Sequence, residues 1–209
     1  MTQPLADRMR PASLDEIAGQ QHLCGENGLL RRLLASNALT NMVFYGPPGV
    51  GKTTAAGIIA KKTNRKLVKL NGTTASTGDI KDIIAELDTL MAPEGILLYL
   101  DEIQYFNKKQ QQSLLQYIEN GKITLIASTT ENPYFYVYPA ILSRSTVFEF
   151  KPVSPEELIP VIERAFDIMS KELGIDFSPG AEIVKELSLY CAGDARKCIN
   201  AVELLCLAA

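Results

Sequence analysis

One run in this sequence has a recognisable chemistry from its spacing alone. Gly46-Pro47-Pro48-Gly49-Val50-Gly51-Lys52-Thr53-Thr54 fits GxxxxGK[S/T], the pattern of a phosphate-binding loop. Glycines at 46, 49 and 51 admit backbone conformations closed to other residues, so consecutive N–H groups can turn inward around a phosphate at the positively polarised start of a helix. Lys52 adds a charge for the β- and γ-phosphates, and Thr53 adds a hydroxyl for Mg²⁺. Apolar Met42-Val43-Phe44-Tyr45 precedes the loop and helix-compatible Ala55-Ala56-Gly57-Ile58-Ile59-Ala60 follows it, which is the strand-loop-helix context the motif needs. The chain is therefore expected to bind a nucleoside triphosphate through residues 46–54.

A second motif follows. Ile96-Leu97-Leu98-Tyr99-Leu100-Asp101-Glu102 is a buried-strand pattern ending in two acids. If this strand lies close to the phosphate-loop strand, Asp101 reaches the Mg²⁺ held by Thr53, and Glu102 polarises a water for in-line attack on the γ-phosphate. In isolation two acids after an apolar strand read as a solvated turn. Downstream of a phosphate loop the catalytic reading prevails, because a protein that only binds nucleotide does not need Glu102.

The elements that must position these residues show in the periodicity. Short apolar runs at Asn41–Tyr45, Lys66–Asn71, Ile96–Leu100, Ile123–Ser128 and Thr146–Phe150 alternate with amphipathic stretches, the signature of a parallel five-stranded α/β sheet with crossover helices. Ile80, Ile83, Ile84 and Leu87 recur at helical spacing behind a polar Ser76-Thr77-Gly78-Asp79 start, and Gln110 to Ile118 suits another helix. After Lys151-Pro152-Val153 the pattern is helical only. Ser154-Pro155-Glu156-Glu157 has capping-box spacing with proline at the first helical position, so the expected division is an α/β domain over 1–151 and a small all-α lid over 152–209. In the lid Leu158, Ile162, Ala165, Phe166 and Met169 form one apolar face, and Gly174 breaks the pattern. Ile183, Val184 and Leu187 begin a second helix, and a third runs from near Asp194 through Ile199, Val202 and Leu205 to Ala209 without a stop signal, as in a chain cut short or lacking further domains.

Composition narrows the classes. At 209 residues with a formal net charge of −3, whole-chain electrostatics give no case for nucleic-acid binding. The basic run 61–66 (Lys61, Lys62, Arg65, Lys66) suits a helix C-terminus and its dipole, while Lys108 and Lys109 are ambiguous and show no aromatic stacking motif beside them. No apolar run is long enough to span a bilayer and no signal peptide is visible, so a cytoplasmic location is expected. Cys24, Cys191, Cys198 and Cys206 lack CxxC pairing and read as buried free thiols, and the single histidine, His22, reads as structural or close to the nucleotide.

In order along the chain, GPPGVGKTT, LLYLDEI, Ile126-Ala127-Ser128-Thr129-Thr130-Glu131-Asn132-Pro133, Leu142-Ser143-Arg144 and Gly193-Asp194-Ala195-Arg196 resemble the motifs of AAA+ ATPases. The opening residues 4–11, the stretch 14–23 and Asn107 make the sequence most similar to the replication-associated recombination protein A family, which includes the eukaryotic Werner-helicase-interacting protein. The resemblance implies that Arg10-Pro11 and the Ile17-Ala18 segment border the adenine. It also implies that Thr130 is the sensor 1 residue (with Thr129 and Asn132 as alternatives), that Arg144 is an arginine finger for a neighbour's ATP, and that Arg196 is sensor 2. It further implies ATP as substrate with ADP as product, Mg²⁺, DNA junctions, ends or gaps, replication or repair proteins, and a homo-oligomer in the full-length protein with nucleoid association if bacterial. Gln104-Tyr105 and Ser145 depart from the His-Arg and Ser-Arg-Cys common in relatives, and the family's C-terminal oligomerisation region has no counterpart in this sequence. A clamp-loader or branch-migration subunit and a nucleotide-switched assembly scaffold are the competing readings.

Overall fold

A computed structural model describes residues 3–36, 39–63, 65–86 and 95–208. The chain begins with α1 (Leu5–Arg8), a 3₁₀ turn at Leu14–Glu16, α2 (Gln21–Cys24) and α3 (Leu29–Ala35). The α/β part then runs β1 (Asn41–Tyr45), α4 (Lys52–Thr63), β2 (Lys66–Asn71), α5 (Thr77–Glu86), β3 (Ile96–Asp101), a 3₁₀ turn at Ile103–Tyr105, α6 (Lys108–Glu119), β4 (Ile123–Thr129), α7 (Pro133–Tyr136), α8 (Pro139–Leu142) and β5 (Ser145–Glu149). The lid consists of α9 (Pro155–Leu173), α10 (Ala181–Tyr190) and α11 (Ala195–Ala208).

All five strands are parallel, in the order β2-β3-β4-β1-β5. Helices cover both faces, so the central strands are buried and mostly apolar, with Thr124, Ser128 and Thr129 as buried polar residues in β4, and such runs are legible as strands. Alternate residues divide between two cores. Met42, Phe44, Leu97, Tyr99, Ile126 and Phe148 face α4, the N-terminal helices and the lid, whereas Val43, Leu98, Leu100, Leu125 and Ala127 face α5, α6 and α8. Of the helical pattern expected for α5, Ile80 and Ile83 are buried and Leu87 lies outside the described residues.

Local signals set the helix ends. Asn107 and Gln110 form a reciprocal capping box at the start of α6, Ser154 and Glu157 form another at the start of α9 with Pro155 at its first position, and α9 ends at Gly174. Leu158, Ile162, Ala165, Phe166 and Met169 are buried as expected, against Val184, Ile199 and Val202. Ile183 and Leu205 instead face outward, and Cys206 fills the core position beside them.

The linker after β5 is firmly held. Gln20 is fully buried and its side-chain amide closes a pair of hydrogen bonds with the backbone of Lys151, donating to its carbonyl at 2.8 Å and accepting from its N–H at 3.1 Å. The Val153 N–H donates to the Gly193 carbonyl at 3.2 Å. Helix α1 reaches the lid, where the Leu5 N–H donates to Glu203 Oε1 at 2.9 Å and Arg8 pairs with Glu172 and Glu203. All four cysteines are free and buried. His22 Nε2 donates to the Glu149 carbonyl at 2.9 Å. Among the described residues no helix is long and apolar enough to cross a membrane.

Candidate nucleotide site

The loop between β1 and α4 closes at the carboxyl end of the sheet. Lys52 is the first residue of α4, yet its ammonium turns back to donate to the carbonyls of Gly46 at 2.6 Å and Pro47 at 2.7 Å. It is 8% exposed, and desolvation lowers its pKa even though Glu102, Asp101 and Asp194 oppose that shift. At Gly49 φ is +71°, and a Cβ there would overlap the Asp194 carboxylate, so both conformation and space demand glycine. Asp194 in turn accepts from the Lys197 N–H at 2.9 Å and caps α11, which ties the lid to the loop.

Strand β4 separates β1 from β3, so the acid pair reaches the loop only because α4 crosses the sheet face. Thr53 Oγ1 lies 3.0 Å from the Tyr99 hydroxyl. That hydroxyl is 3.1 Å from Asp101 Oδ1 and 2.9 Å from Ser128 Oγ, and Ser128 also donates to Asp101. Burial, reinforced by the Asp101 carboxylate, pushes the Tyr99 hydroxyl well above the usual phenol range, so it stays protonated as a donor. Glu102 turns the chain in the left-handed region (φ 53°, ψ 55°). The turn is braced by Gly72: its N–H donates to the Asp101 carbonyl at 2.7 Å, and a Cβ there would overlap the Glu102 carbonyl. Glu102 Oε2 accepts from Gln104 Nε2 at 2.5 Å and from Thr130 Oγ1 at 3.4 Å.

Gly49, Lys52, Thr53, Asp101 and Glu102 line one cleft of about 500 Å³ between the α/β part and the lid, and Tyr99, Ser128, Gln104 and Thr130 contact its lining from behind. Pro48, Gly49, Val50, Gly51, Lys52, Thr53 and Thr54 form its floor, with Asp101 and Glu102 at one side. Arg10, Pro11, Ile17 and Ala18 also line it, together with Met9 and Val153, and Ala195, Arg196 and Ile199 line it from the lid. A Cβ at Gly51 would come within 2.9 Å of Ile17 Cγ2, so that wall stands directly against the loop. Of the sensor 1 alternatives, Thr129 is buried and its hydroxyl accepts from the Glu131 N–H, Asn132 caps α7, and exposed Thr130 contacts Glu102.

A hydroxyl and a carboxylate are hard oxygen donors, too few to enclose an ion alone, and no cluster of three or more His, Cys, Asp or Glu occurs among the described residues. That donor set fits Mg²⁺, which keeps several waters and shares its coordination with phosphates.

Residues 42–153 match the ATPase family associated with various cellular activities (AAA). The chain belongs to this family. It is 40% identical over 202 residues to replication-associated recombination protein A of Bacillus subtilis, covering 96% of this chain and 47% of that protein. The same-named protein of Escherichia coli K12 is 36% identical over 205 residues, covering 97% and 46%, and the ATPase WRNIP1 of Dictyostelium discoideum is 37% identical over 206 residues, covering 96% and 23%. The chain thus spans less than half the length of these curated relatives. Among solved structures, a lysine-to-arginine mutant of Thermotoga maritima RuvB superposes with a TM-score of 0.78 at 25% identity, covering 97% of this chain and 68% of that one.

Two residues assigned by resemblance do not line the AAA domain's own cleft: Thr130 meets it only through its contact with Glu102, and Arg144 lies away from it. Arg144 precedes β5 at the amino end of the sheet, pairing with Glu119 at 2.7 Å and donating to the Ala140 carbonyl at 2.9 Å. Tyr99, Ser128 and Gln104 join the site although their sequence context gives no sign of it. The first two read as strand interior, and Gln104 stands out only as a departure from the His-Arg common in relatives. Lys108 also has an aromatic partner that its neighbours in sequence do not supply: its ammonium sits 5.4 Å from the ring centre of Tyr138, and Tyr134 and Phe135 are exposed on the neighbouring turn.

Proposed function

We propose that this chain is the ATP-hydrolysing core of a cytoplasmic protein that couples Mg²⁺-dependent turnover to remodelling DNA or replication complexes at stalled forks, in replication-associated recombination and repair. The observation that carries the reading is the convergence on one cleft of Lys52 and Thr53 from α4, Asp101 and Glu102 from the end of β3, and Arg196 from the lid. In this reading the adenine lies against Arg10, Pro11, Ile17 and Ala18. Lys52 exchanges its two loop carbonyls for phosphate oxygens, a gain in charge complementarity for an ammonium already stripped of water. Glu102 takes the proton of the attacking water, with Thr130 orienting its carboxylate and Arg196 stabilising phosphate charge. Mg²⁺, when bound, neutralises the phosphates, and Thr53 and Asp101 hold it.

DNA, replication or repair proteins and a homo-oligomer are the proposed partners, supported by identities of 36–40% to replication-associated recombination protein A. A branch-migration motor is the second reading, favoured by the likeness at 25% identity to Thermotoga maritima RuvB, a Holliday junction branch migration motor. The test is ATP turnover by the full-length protein with and without Mg²⁺, single strands, duplex ends, forks and four-way junctions. Glu102→Gln is expected to keep ATP affinity while turnover falls about 10²–10⁴-fold, since an amide cannot accept the proton. Unchanged turnover would remove Glu102 from that role, and stimulation by four-way junctions alone would favour the second reading.

A further inference from the structure

The buried hydroxyl chain beneath the loop has a direction, and that direction bears on how the metal is held. The Asp101 carboxylate can only accept, so Ser128 gives it a proton. The one proton of the Tyr99 hydroxyl goes to Asp101 Oδ1 at 3.1 Å or to Ser128 Oγ at 2.9 Å. Either way it is spent away from Thr53. In the remaining contact, Thr53 Oγ1 to Tyr99 at 3.0 Å, Thr53 must therefore be the donor, which turns its lone pairs away from Tyr99. Tyr99 is only 1% exposed and its ring is packed between α4 and the sheet, so the hydroxyl has no alternative place to go.

We propose that Tyr99 is a positioning residue for the metal-holding pair, joining Thr53 to Asp101 through its hydroxyl and fixing the Thr53 hydroxyl so that its lone pairs meet the cation. This rests on the ATPase reading above. Without the hydroxyl the Thr53 proton loses its buried acceptor, and Thr53 loses its link to Asp101, made directly or through Ser128. Partners of this kind behind a metal ligand are worth about 10–100-fold in metal affinity.

The test compares the wild-type chain with Tyr99→Phe by calorimetry, titrating a non-hydrolysable ATP analogue in EDTA and, in a separate EDTA-free sample, Mg²⁺ into the nucleotide complex. The expected result is a rise of about tenfold in the Mg²⁺ dissociation constant, with analogue affinity in EDTA unchanged. An unaltered Mg²⁺ constant would overturn the proposal. So would equal losses with and without Mg²⁺, which would mean that the hydroxyl only shapes the loop. A wild-type chain whose nucleotide binding ignores Mg²⁺ would instead bring down the ATPase reading. A measurement on the wild-type chain needs no substitution: the Tyr99 hydroxyl proton should appear as a slowly exchanging resonance in the Mg²⁺–nucleotide complex. Rapid exchange with water there would also refute the assignment.

Discussion

The Lys52 ammonium is buried against two neutral carbonyls, and its lowered pKa means that desolvation outweighs the attraction of Glu102, Asp101 and Asp194. Binding is thereby set against folding. A lysine whose folded pKa lies below its unfolded value of 10.5 binds its proton more weakly in the native state. The resulting destabilisation is fully present at pH values below the folded pKa and disappears above 10.5. Lys52→Met keeps the stem and removes the charge. It is expected to raise the melting temperature of the nucleotide-free chain at pH 7, while abolishing the upward shift that ATP gives the wild type. Calorimetric melts of both chains with and without nucleotide check both parts, and a fall in the nucleotide-free melting temperature would show that the two carbonyl hydrogen bonds and the three carboxylates together outweigh desolvation. Glu102 shows the same tension in its backbone, since a non-glycine residue is held in the left-handed region at the point where the carboxylate must face the cleft.

At the scale of elements, the lid is attached through side chains as well as through the chain. Gln20, from the residues before β1, supplies both partners for the Lys151 backbone, and replacing it with leucine leaves an N–H and a carbonyl without their bonds in a half-buried linker. Gln20→Leu is expected to cost about 1–2 kcal/mol and to strip the Lys151 amide of hydrogen-exchange protection, with the amides of β4 unaffected; protection retained at Lys151 would mean that Pro152 and Val153 hold the linker unaided. This contact was not legible in the sequence, because a glutamine at position 20 and a backbone at position 151 share no periodicity. The strands were legible, since a parallel sheet covered on both faces leaves continuous apolar runs; observed ends differ from those read by one residue at most. Helices α7 and α8 were not, being single turns started by Pro133 and Pro139 and too short to show a face. The proposed phosphate loop and acid pair are legible as motifs because such chemistry demands particular residue types at fixed spacing, and the structure brings them to one cleft. Tyr99 and Ser128 are not, because only strand order brings β3 beside β4 and turns two residues of strand interior into a polar link to Thr53.

Across the whole molecule, the cleft and Arg144 lie at opposite ends of the same sheet. Parallel strands put every carboxyl end on one side, where the loop, the acid pair and the lid converge, while Arg144 enters β5 from the other side and is occupied by Glu119. No side-chain rotation carries a guanidinium across the length of a strand, so if Arg144 acts on a nucleotide, that nucleotide is bound to another subunit. A head-to-tail ring would supply one such neighbour to each cleft and make turnover depend on assembly. In the full-length protein, Arg144→Ala is then expected to lower turnover by on the order of 10³-fold, as for other arginines supplied in trans, with nucleotide affinity nearly unchanged. Mixing this variant with Glu102→Gln gives a sharper test, since each is inactive alone for a different reason. Where a subunit with intact Glu102 follows one with intact Arg144, a working site is rebuilt. Random co-assembly in a ring should restore about one quarter of wild-type activity. Confirmed mixed assemblies that recover nothing would exclude the shared site, and so would an Arg144→Ala variant that turns over at the wild-type rate, leaving Arg144 as the surface partner of Glu119.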